Sequence, residues 1–189
     1  MKTVIFFIRH GQVHNPKSII YGRLPGFSLS AEGKTRIKEI AEELKEEGIE
    51  YLYTSPMLRA RQTAAIIGKK LGLVAKVSRL LIETNLIIAG IPLSVFKSKI
   101  QPKIYDPQFI RKGQESIEAQ AKRMLKFVHL MEKRHRGGKV AAVSHGDPIM
   151  ILKAAILGAK FTYKYKKEHY LKPSYFAVLT AENGRYIWS

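Results

Sequence analysis

The hydrophobic positions of the chain alternate between short β-rich runs and longer segments with helical periodicity. Residues Thr3–Ile8 form a nearly continuous apolar run, which is typical of a central strand covered on both faces. Further strands are predicted at Tyr51–Thr54, Leu73–Val77, Lys139–Ser144, Tyr175–Thr180 and Arg185–Trp188, the last two as a hairpin around Asn183-Gly184. Strands that alternate with helices indicate an α/β fold. We therefore predict a three-layer α/β/α sandwich with a mostly parallel central sheet.

The helices are predicted from capping residues and from apolar positions at 3.6-residue spacing. Ser30 is expected to cap a helix that ends near Gly48, and the glutamates of residues 32–50 form its solvated face. Other helix starts are predicted at Ser55-Pro56, Ser116 and Asp147-Pro148, with ends at Gly72, Gly137-Gly138 and Gly158. Residues 84–115 contain three prolines and predict an irregular insertion over the sheet. We expect one domain, residues 1–189, with a cap or lid around residues 84–115.

The composition excludes several classes of site. The 189 residues include no cysteine, so disulfide frameworks, thiolate metal sites and cysteine nucleophiles are excluded. No apolar run approaches the roughly 20 residues of a membrane helix, and the run at Val4–Ile8 is shorter than a secretory h-region of about 7–15 residues. We expect a cytoplasmic protein with no membrane partner.

The charge balance is strongly basic. Thirty-three Lys and Arg against fifteen Asp and Glu give a net charge of +18. A field of this sign attracts phosphorylated metabolites, nucleic acid and acidic membrane surfaces, and net charge alone does not choose among them.

Three segments place cationic or imidazole side chains directly after a predicted strand. They are Arg9-His10-Gly11, Ser55–Thr63 with its Arg59, and Ser144-His145-Gly146. Open α/β sheets bind ligands at the carboxyl ends of their strands, so two arginines and two histidines are expected to converge on one cleft. No carboxylate cluster with metal-ligand spacing accompanies them, and we predict neither a metal nor another cofactor.

Such a cluster suits a phosphoryl group. A guanidinium meets phosphate oxygens with two parallel donors, and a neutral imidazole can attack phosphorus to form a phosphohistidine. Gly11 lets the backbone approach the phosphate and offers an N–H donor. A carboxylic acid is still needed to protonate the leaving oxygen and later to deprotonate water.

Along nearly its whole length the chain resembles the histidine phosphatase superfamily, the phosphoglycerate-mutase-like proteins. Four ordered pieces carry the resemblance: Arg9-His10-Gly11, the run from Tyr21 to Gly33, Ser55–Ala64, and Ser144-His145-Gly146. They resemble, in order, the RHG signature, the segment that leads to the first helix, the SPLxRAxQTA pattern and the SHG element of that family.

The resemblance implies a role for each candidate site residue. His10 is the expected nucleophile, His145 the second histidine and Glu83 the acid/base group. The expected phosphate-binding residues are Arg9, Gly11, Asn15, Arg23, Arg59 and Gly146. Because Gly146 separates Asp147 from His145, Asp147 is predicted to cap the helix rather than to donate a proton. His14, His129, His135 and His169 stand outside any motif and are predicted at the surface.

The predicted activity is metal-independent hydrolysis of a small phosphorylated metabolite through a phosphohistidine. Mutase-type phosphoryl transfer is the first alternative, and a phosphoprotein phosphatase or a basic nucleic-acid-binding protein is the second. The aromatic and basic run Lys160–Lys167 invites a nucleic-acid interpretation, but a lid segment whose tyrosines pack on the domain is favoured. If the lysines of residues 84–115 and 160–172 face the cleft, they favour substrates with a second anionic group.

Overall fold

The computed structural model describes residues 1–189 and contains one six-stranded sheet. The strands are β1 (Thr3–Arg9), β2 (Tyr51–Thr54), β3 (Lys76–Val77), β4 (Lys139–Ser144), β5 (Phe176–Glu182) and β6 (Arg185–Trp188). Their order is β3-β2-β4-β1-β5-β6. The pairs β3–β2, β2–β4 and β4–β1 are parallel, and the pairs β1–β5 and β5–β6 are antiparallel. The predicted α/β fold with a mostly parallel sheet is confirmed.

The helices lie in two layers over this sheet. They are α1 (Ala31–Lys45), α2 (Leu58–Leu71), α3 (Leu93–Val95), α4 (Pro107–Arg111), α5 (Ile117–Arg134), α6 (Gly146–Ile156) and α7 (Tyr163–Glu168). Strand β1 shows why two layers form, since Phe6 and Ile8 pack with α1 and α2 while Ile5 and Phe7 pack with α5 and α6. Apolar residues at consecutive positions of a strand point to opposite faces, so this strand needs a helical cover on both.

Between α2 and α5 the chain is made of short pieces. A 3₁₀ turn at Arg79–Leu81 precedes α3, and a π-helical turn (Phe96–Ile100) and a second 3₁₀ turn (Gln101–Lys103) separate α3 from α4. No helix of the protein has both the length and the apolar character needed to cross a bilayer.

Several predicted boundaries differ from the structure. The strand predicted at Leu73–Val77 is reduced to β3, because an edge position gives it one neighbour and leaves Val74 89% exposed. Helix α2 begins at Leu58, beyond the predicted start at Ser55-Pro56.

The prediction that Asp147 caps its helix is wrong. Helix α6 begins one residue earlier, at Gly146, with His145 in the extended N-cap conformation. Asp147 lies in the first turn, where its carboxylate binds the Lys166 ammonium instead of a backbone N–H.

The prediction for His135 also fails in part. Its ring is half-buried, stacks on Tyr51 with centroids 3.7 Å apart and lies 2.9 Å from the Tyr53 hydroxyl. The other three histidines placed at the surface, at positions 14, 129 and 169, are exposed.

Candidate active site

The carboxyl ends of β1 and β4 bring two histidines together. The strands are paired in parallel, with Arg9 opposite Ser144, and the next residues are His10 and His145. Their rings meet edge to face with centroids 5.1 Å apart, and both are almost completely buried. Strand pairing thus produces the convergence predicted from the sequence.

Arg59 joins the two histidines from the first turn of α2. Its side chain is 0% exposed, and it packs over the Tyr21 ring at 4.8 Å. The Nε–H donates to His10 Nε2 at 3.1 Å, and Nη2 donates to Gly22 O at 2.9 Å. Nη2 also lies 3.1 Å from His145 Nδ1. A buried guanidinium is costly unless its donors are satisfied, and here each contact meets that need.

The hydrogen bonds of His10 define which ring nitrogen is free to react. Nδ1 lies 2.8 Å from Gly11 O, which can only accept, so Nδ1 carries the proton. Nε2 therefore keeps its lone pair, which accepts from Arg59. Burial, and then the nearby Arg59 and Arg9 charges, lower the pKa of His10 well below its ordinary value. The ring is held neutral, and Nε2 is the unprotonated nitrogen, which can attack phosphorus once its hydrogen bond from Arg59 is released.

His145 is oriented by Ser55. Its Nε2 lies 2.7 Å from Ser55 Oγ, while Nδ1 accepts from Arg59 and therefore carries no proton. Burial, followed by the charges of Arg59 and Arg9, lowers the pKa of His145. Nδ1 thus faces the reaction centre.

Glu83 follows the 3₁₀ turn at Arg79–Leu81 and reaches the same centre. Its Oε2 lies 3.4 Å from both Arg59 Nη2 and His145 Nδ1, and its Oε1 accepts from Thr84 N at 2.9 Å. Burial raises the pKa of the Glu83 carboxyl despite the opposing effect of Arg59. A carboxyl group with a raised pKa is suited to carry a proton for a leaving group.

Arg9 lies on the other side of the histidines with part of its guanidinium unpaired. Nη1 donates to Leu171 O at 2.6 Å, and the group lies 4.8 Å from the Tyr170 ring centroid. Its Nε is buried and has no partner within the protein. A buried unpaired donor beside two histidines is a natural partner for an oxyanion.

Helix α6 adds backbone donors to this centre. Gly146 and Asp147 lie in its first turn and both line the central cavity. First-turn N–H groups have no intrahelical acceptor, and a helix N-terminus attracts anions. A Cβ atom on Gly146 would lie 3.0 Å from the Arg9 guanidinium carbon, so the glycine leaves room for that group.

One cavity of about 450 Å³ opens onto this centre. Arg9, His10, Gly11 and Glu83 form its inner end, and the outer parts come from residues 12–22, 86–104 and 166–173. Arg59 and His145 lie beneath this surface, as their complete burial shows.

Three of the predicted phosphate-binding residues, Gly11, Asn15 and Arg23, form hydrogen bonds to other groups of the protein. The Gly11 N–H donates to Thr63 Oγ1 at 3.1 Å, so it is already engaged. Asn15 lines the cavity, but its amide bonds both backbone groups of Ile19 and closes a local turn.

Arg23 does not reach the cavity lining. It donates to the Glu83 carbonyl at 2.7 Å and pairs with Glu115 at 2.9 Å. Burial lowers the pKa of Arg23, and the Glu115 carboxylate partly offsets this decrease. Arg23 therefore holds the backbone of Glu83 in place, and its own side chain does not line the cavity.

Sequence reasoning missed several supporting residues. Ser55 and Thr63 lie within the Ser55–Ala64 motif, so their spacing around Arg59 could have indicated that they contact the same site. No sequence pattern marked Tyr170, which stacks on Arg9, nor the partly buried pair of Asp147 with Lys166.

One potential metal-ligand set coincides with this site. Single ligand atoms of His10, Glu83 and His145 lie within 4.8 Å of one another. Arg59 lies within hydrogen-bond distance of both imidazoles, so a cation placed there would meet the guanidinium charge at short range. The buried guanidinium charge therefore disfavours a metal ion at this position.

Comparison with known proteins identifies the family of the chain. A sequence model of the histidine phosphatase superfamily (branch 1) matches residues 5–187. The Mycobacterium tuberculosis protein Rv0525 is 32% identical over 164 residues, which cover 84% of this chain and 81% of that protein. Phosphoserine phosphatase 1 of Hydrogenobacter thermophilus is 28% identical over 161 residues, covering 82% of this chain and 76% of the relative.

Solved structures share the fold. The mycobacterial glucosyl-3-phosphoglycerate phosphatase Rv2419c superimposes with a TM-score of 0.83 at 24% identity, covering 98% of this chain and 96% of the other. Bacillus stearothermophilus YhfR gives a TM-score of 0.85 at 21% identity, with 99% and 95% of the two chains covered.

Proposed function

The chain belongs to the histidine phosphatase superfamily, and from that premise we propose that it is a metal-independent phosphomonoesterase that works through a phosphorylated His10. The observation that carries this proposal is the hydrogen bond of His10 Nδ1 to Gly11 O. It leaves Nε2 unprotonated beside Arg59, in a residue that lines the same cavity as Arg9.

In the first step His10 Nε2 attacks phosphorus. The new N–P bond forms as the ester P–O bond breaks, and protonated Glu83 gives its proton to the departing oxygen. Arg9, Arg59 and the first-turn N–H groups of α6 stabilise the charge on the phosphoryl oxygens. Glu83 is suited to this role because burial raises the pKa of its carboxyl.

In the second step water attacks the phosphohistidine. Ionised Glu83 takes a proton from the water, the N–P bond breaks, and inorganic phosphate leaves as the His10 lone pair is restored. A bound phosphoryl group places negative charge beside His145, which favours protonation of Nδ1 and lets it donate to that group.

The cavity favours a small substrate. His10 is 1% exposed, and residues 86–104 and 166–173 enclose the space above it. We propose that residues 84–115 act as a cap and that the substrate is a phosphorylated metabolite. A nucleic-acid surface is less favoured at residues 160–167, because Tyr165 is buried against Phe161 instead of presenting its ring for base stacking.

The test follows phosphate release from p-nitrophenyl phosphate by three proteins. His10→Ala is expected to abolish turnover, while His14→Ala, which removes an exposed neighbouring histidine, is the matched control. Acid-labile, base-stable phosphate on the unaltered protein during turnover identifies phosphohistidine, and a chelator is expected to leave the rate unchanged. Turnover that survives in His10→Ala contradicts the proposal.

A parallel assay separates hydrolysis from mutase chemistry. We expect inorganic phosphate as the main product from phosphoglycerate. Rapid interconversion of 2- and 3-phosphoglycerate with little phosphate release would instead assign the site to a mutase.

A further inference from the structure

Away from the phosphate-binding end, the cavity has an apolar wall. The half-buried and buried aliphatic and aromatic side chains that form it are Val13, Ile19, Ile20, Leu86, Leu93, Phe96 and Ile104. A concave apolar surface that remains in contact with water is unfavourable for a folded protein, and such surfaces commonly bind ligands.

The backbone holds this wall in place without a ligand. Ile20 N donates to Ile91 O at 2.9 Å, Gly90 N donates to Ile20 O at 2.7 Å, and Leu93 N donates to Ser18 O at 2.7 Å. These bonds tie the loop after β1 to the start of α3. Because the wall is already ordered, a ligand that packs on it does not have to supply the free energy of ordering it.

The lysines near the wall offer little free positive charge. Ten basic residues lie in the two segments 84–115 and 160–172, and only Lys97 and Lys166 line the cavity. The Lys166 ammonium is 2.6 Å from the Asp147 carboxylate, and both side chains are about 15% exposed. Tyr105 donates its hydroxyl to the other carboxylate oxygen at 2.8 Å.

The Asp147–Lys166 pair is thus nearly neutral as a unit. Lys97 is exposed, so water screens its charge. The sequence analysis favours a second anionic group on the substrate only if these basic residues face the cleft. Two of the ten do so. An additional carboxylate or phosphate on the substrate would lose hydration against the apolar wall with little compensation.

We propose that this chain prefers phosphomonoesters whose alcohol portion is apolar, an alkyl or aromatic group that packs on the wall between residues 19–20 and 86–104. This inference rests on the proposed phosphatase activity and specifies its substrate class. The phosphate occupies the inner end at His10, and the body of the substrate displaces water from the wall.

The test uses ethyl, butyl, hexyl and octyl phosphate, whose leaving alcohols have similar acidity. Burial of one methylene stabilises a complex by about 0.8 kcal/mol, so kcat/KM is expected to rise up to about fourfold per methylene until the wall is covered. Phosphoserine and 3-phosphoglycerate, which carry a carboxylate, are expected to react more slowly than hexyl phosphate. A flat alkyl series, or faster turnover of the carboxylate-bearing esters, overturns the inference.

Two variants link the preference to the wall. Leu86→Asn and Leu93→Asn keep nearly the same shape but make the surface polar, and each is expected to lower the hexyl-to-ethyl ratio of kcat/KM by about fivefold or more. Leu157→Asn, at a leucine 53% exposed beyond α6, is the control and leaves that ratio unchanged. An unchanged ratio in both wall variants refutes the assignment of the wall.

Failure of this inference is distinguishable from failure of the proposed function. If p-nitrophenyl phosphate and every alkyl phosphate resist hydrolysis, the phosphatase proposal falls and this inference falls with it. If p-nitrophenyl phosphate is hydrolysed and the alkyl series is flat, only the substrate class is wrong. The series uses the unaltered protein, so its outcome does not depend on whether a variant folds.

Discussion

Replacing Arg59 by lysine tests how much of catalysis depends on the shape of a guanidinium rather than on its charge. In the protein the group bonds His10 Nε2, Gly22 O and His145 Nδ1 at 2.9–3.1 Å and packs over the Tyr21 ring. An ammonium is a single point of charge and cannot span these positions. Arg59→Lys therefore preserves the positive charge and removes the planar arrangement of several N–H donors.

The expected loss of activity follows from the hydrogen bonds to the phosphoryl group. In the proposed transition state Arg59 exchanges its bonds to His10 and His145 for bonds to two phosphoryl oxygens. An ammonium replaces one of these two bonds, each worth about 1.5–3 kcal/mol when charge-assisted. Loss of one such bond in the transition state lowers kcat/KM by about 10- to 150-fold. The fold loses about two net hydrogen bonds, so the free energy of unfolding decreases by about 2 kcal/mol and Tm by about 4–8 °C.

Arg61→Lys is the matched control, since Arg61 is exposed two residues further along the same helix. Initial rates of phosphate release and thermal melts of both variants give the comparison. A kcat/KM for Arg59→Lys within about threefold of the unaltered protein would show that the guanidinium is structural only, and the reasoning about its two donors would be refuted. An equal loss in Arg61→Lys would point to the helix instead of the site.

Three further outcomes are expected. Because the pKa of Glu83 is raised and that of His10 is lowered, kcat/KM has its maximum on the acidic side and falls as pH rises through the pKa of Glu83. Glu83→Gln removes that fall and slows the hydrolysis of alkyl phosphates more than that of aryl phosphates, whereas equal slowing of both would indicate another acid. Gly146→Ala places a Cβ atom 3.0 Å from the Arg9 guanidinium carbon, a flexible neighbour, so kcat/KM falls while Tm changes little, and the reverse pattern would contradict this account. Gly11→Ala places its Cβ atom 3.0 Å from a backbone carbonyl of α1, so the free energy of unfolding falls by about 1–3 kcal/mol in a denaturant titration, and unaltered stability would show that the helix can shift.

Much of this architecture is local and could be predicted from the sequence. The apolar run of β1 requires burial on two faces, and Ser30 and Ser116 accept hydrogen bonds from the first turns of α1 and α5 as their sequence positions predict. Asn183 and Gly184 both have positive φ in the hairpin turn between β5 and β6. In each case neighbours along the chain supply the physical cause.

Convergence of the two histidines and Arg59 was predictable for a related reason. Parallel strands end at the same edge of a sheet, so residues that directly follow them meet there. What the pattern leaves open is orientation, and this depends on contacts between distant segments. Arg23 carries the same side chain as Arg9, yet its contacts with Glu115 and the Glu83 carbonyl direct it away from the cavity.

The chain's own sequence therefore determined the fold class and the convergence of the candidate site residues, because periodicity, capping and strand order act over short stretches or follow general rules of sheets. Only the tertiary structure decided which nitrogen of His10 is unprotonated, which lysines reach the cavity and that the Lys166 charge is neutralised by Asp147. These outcomes depend on distances of a few ångströms between segments far apart in the chain, and packing of the whole molecule sets such distances.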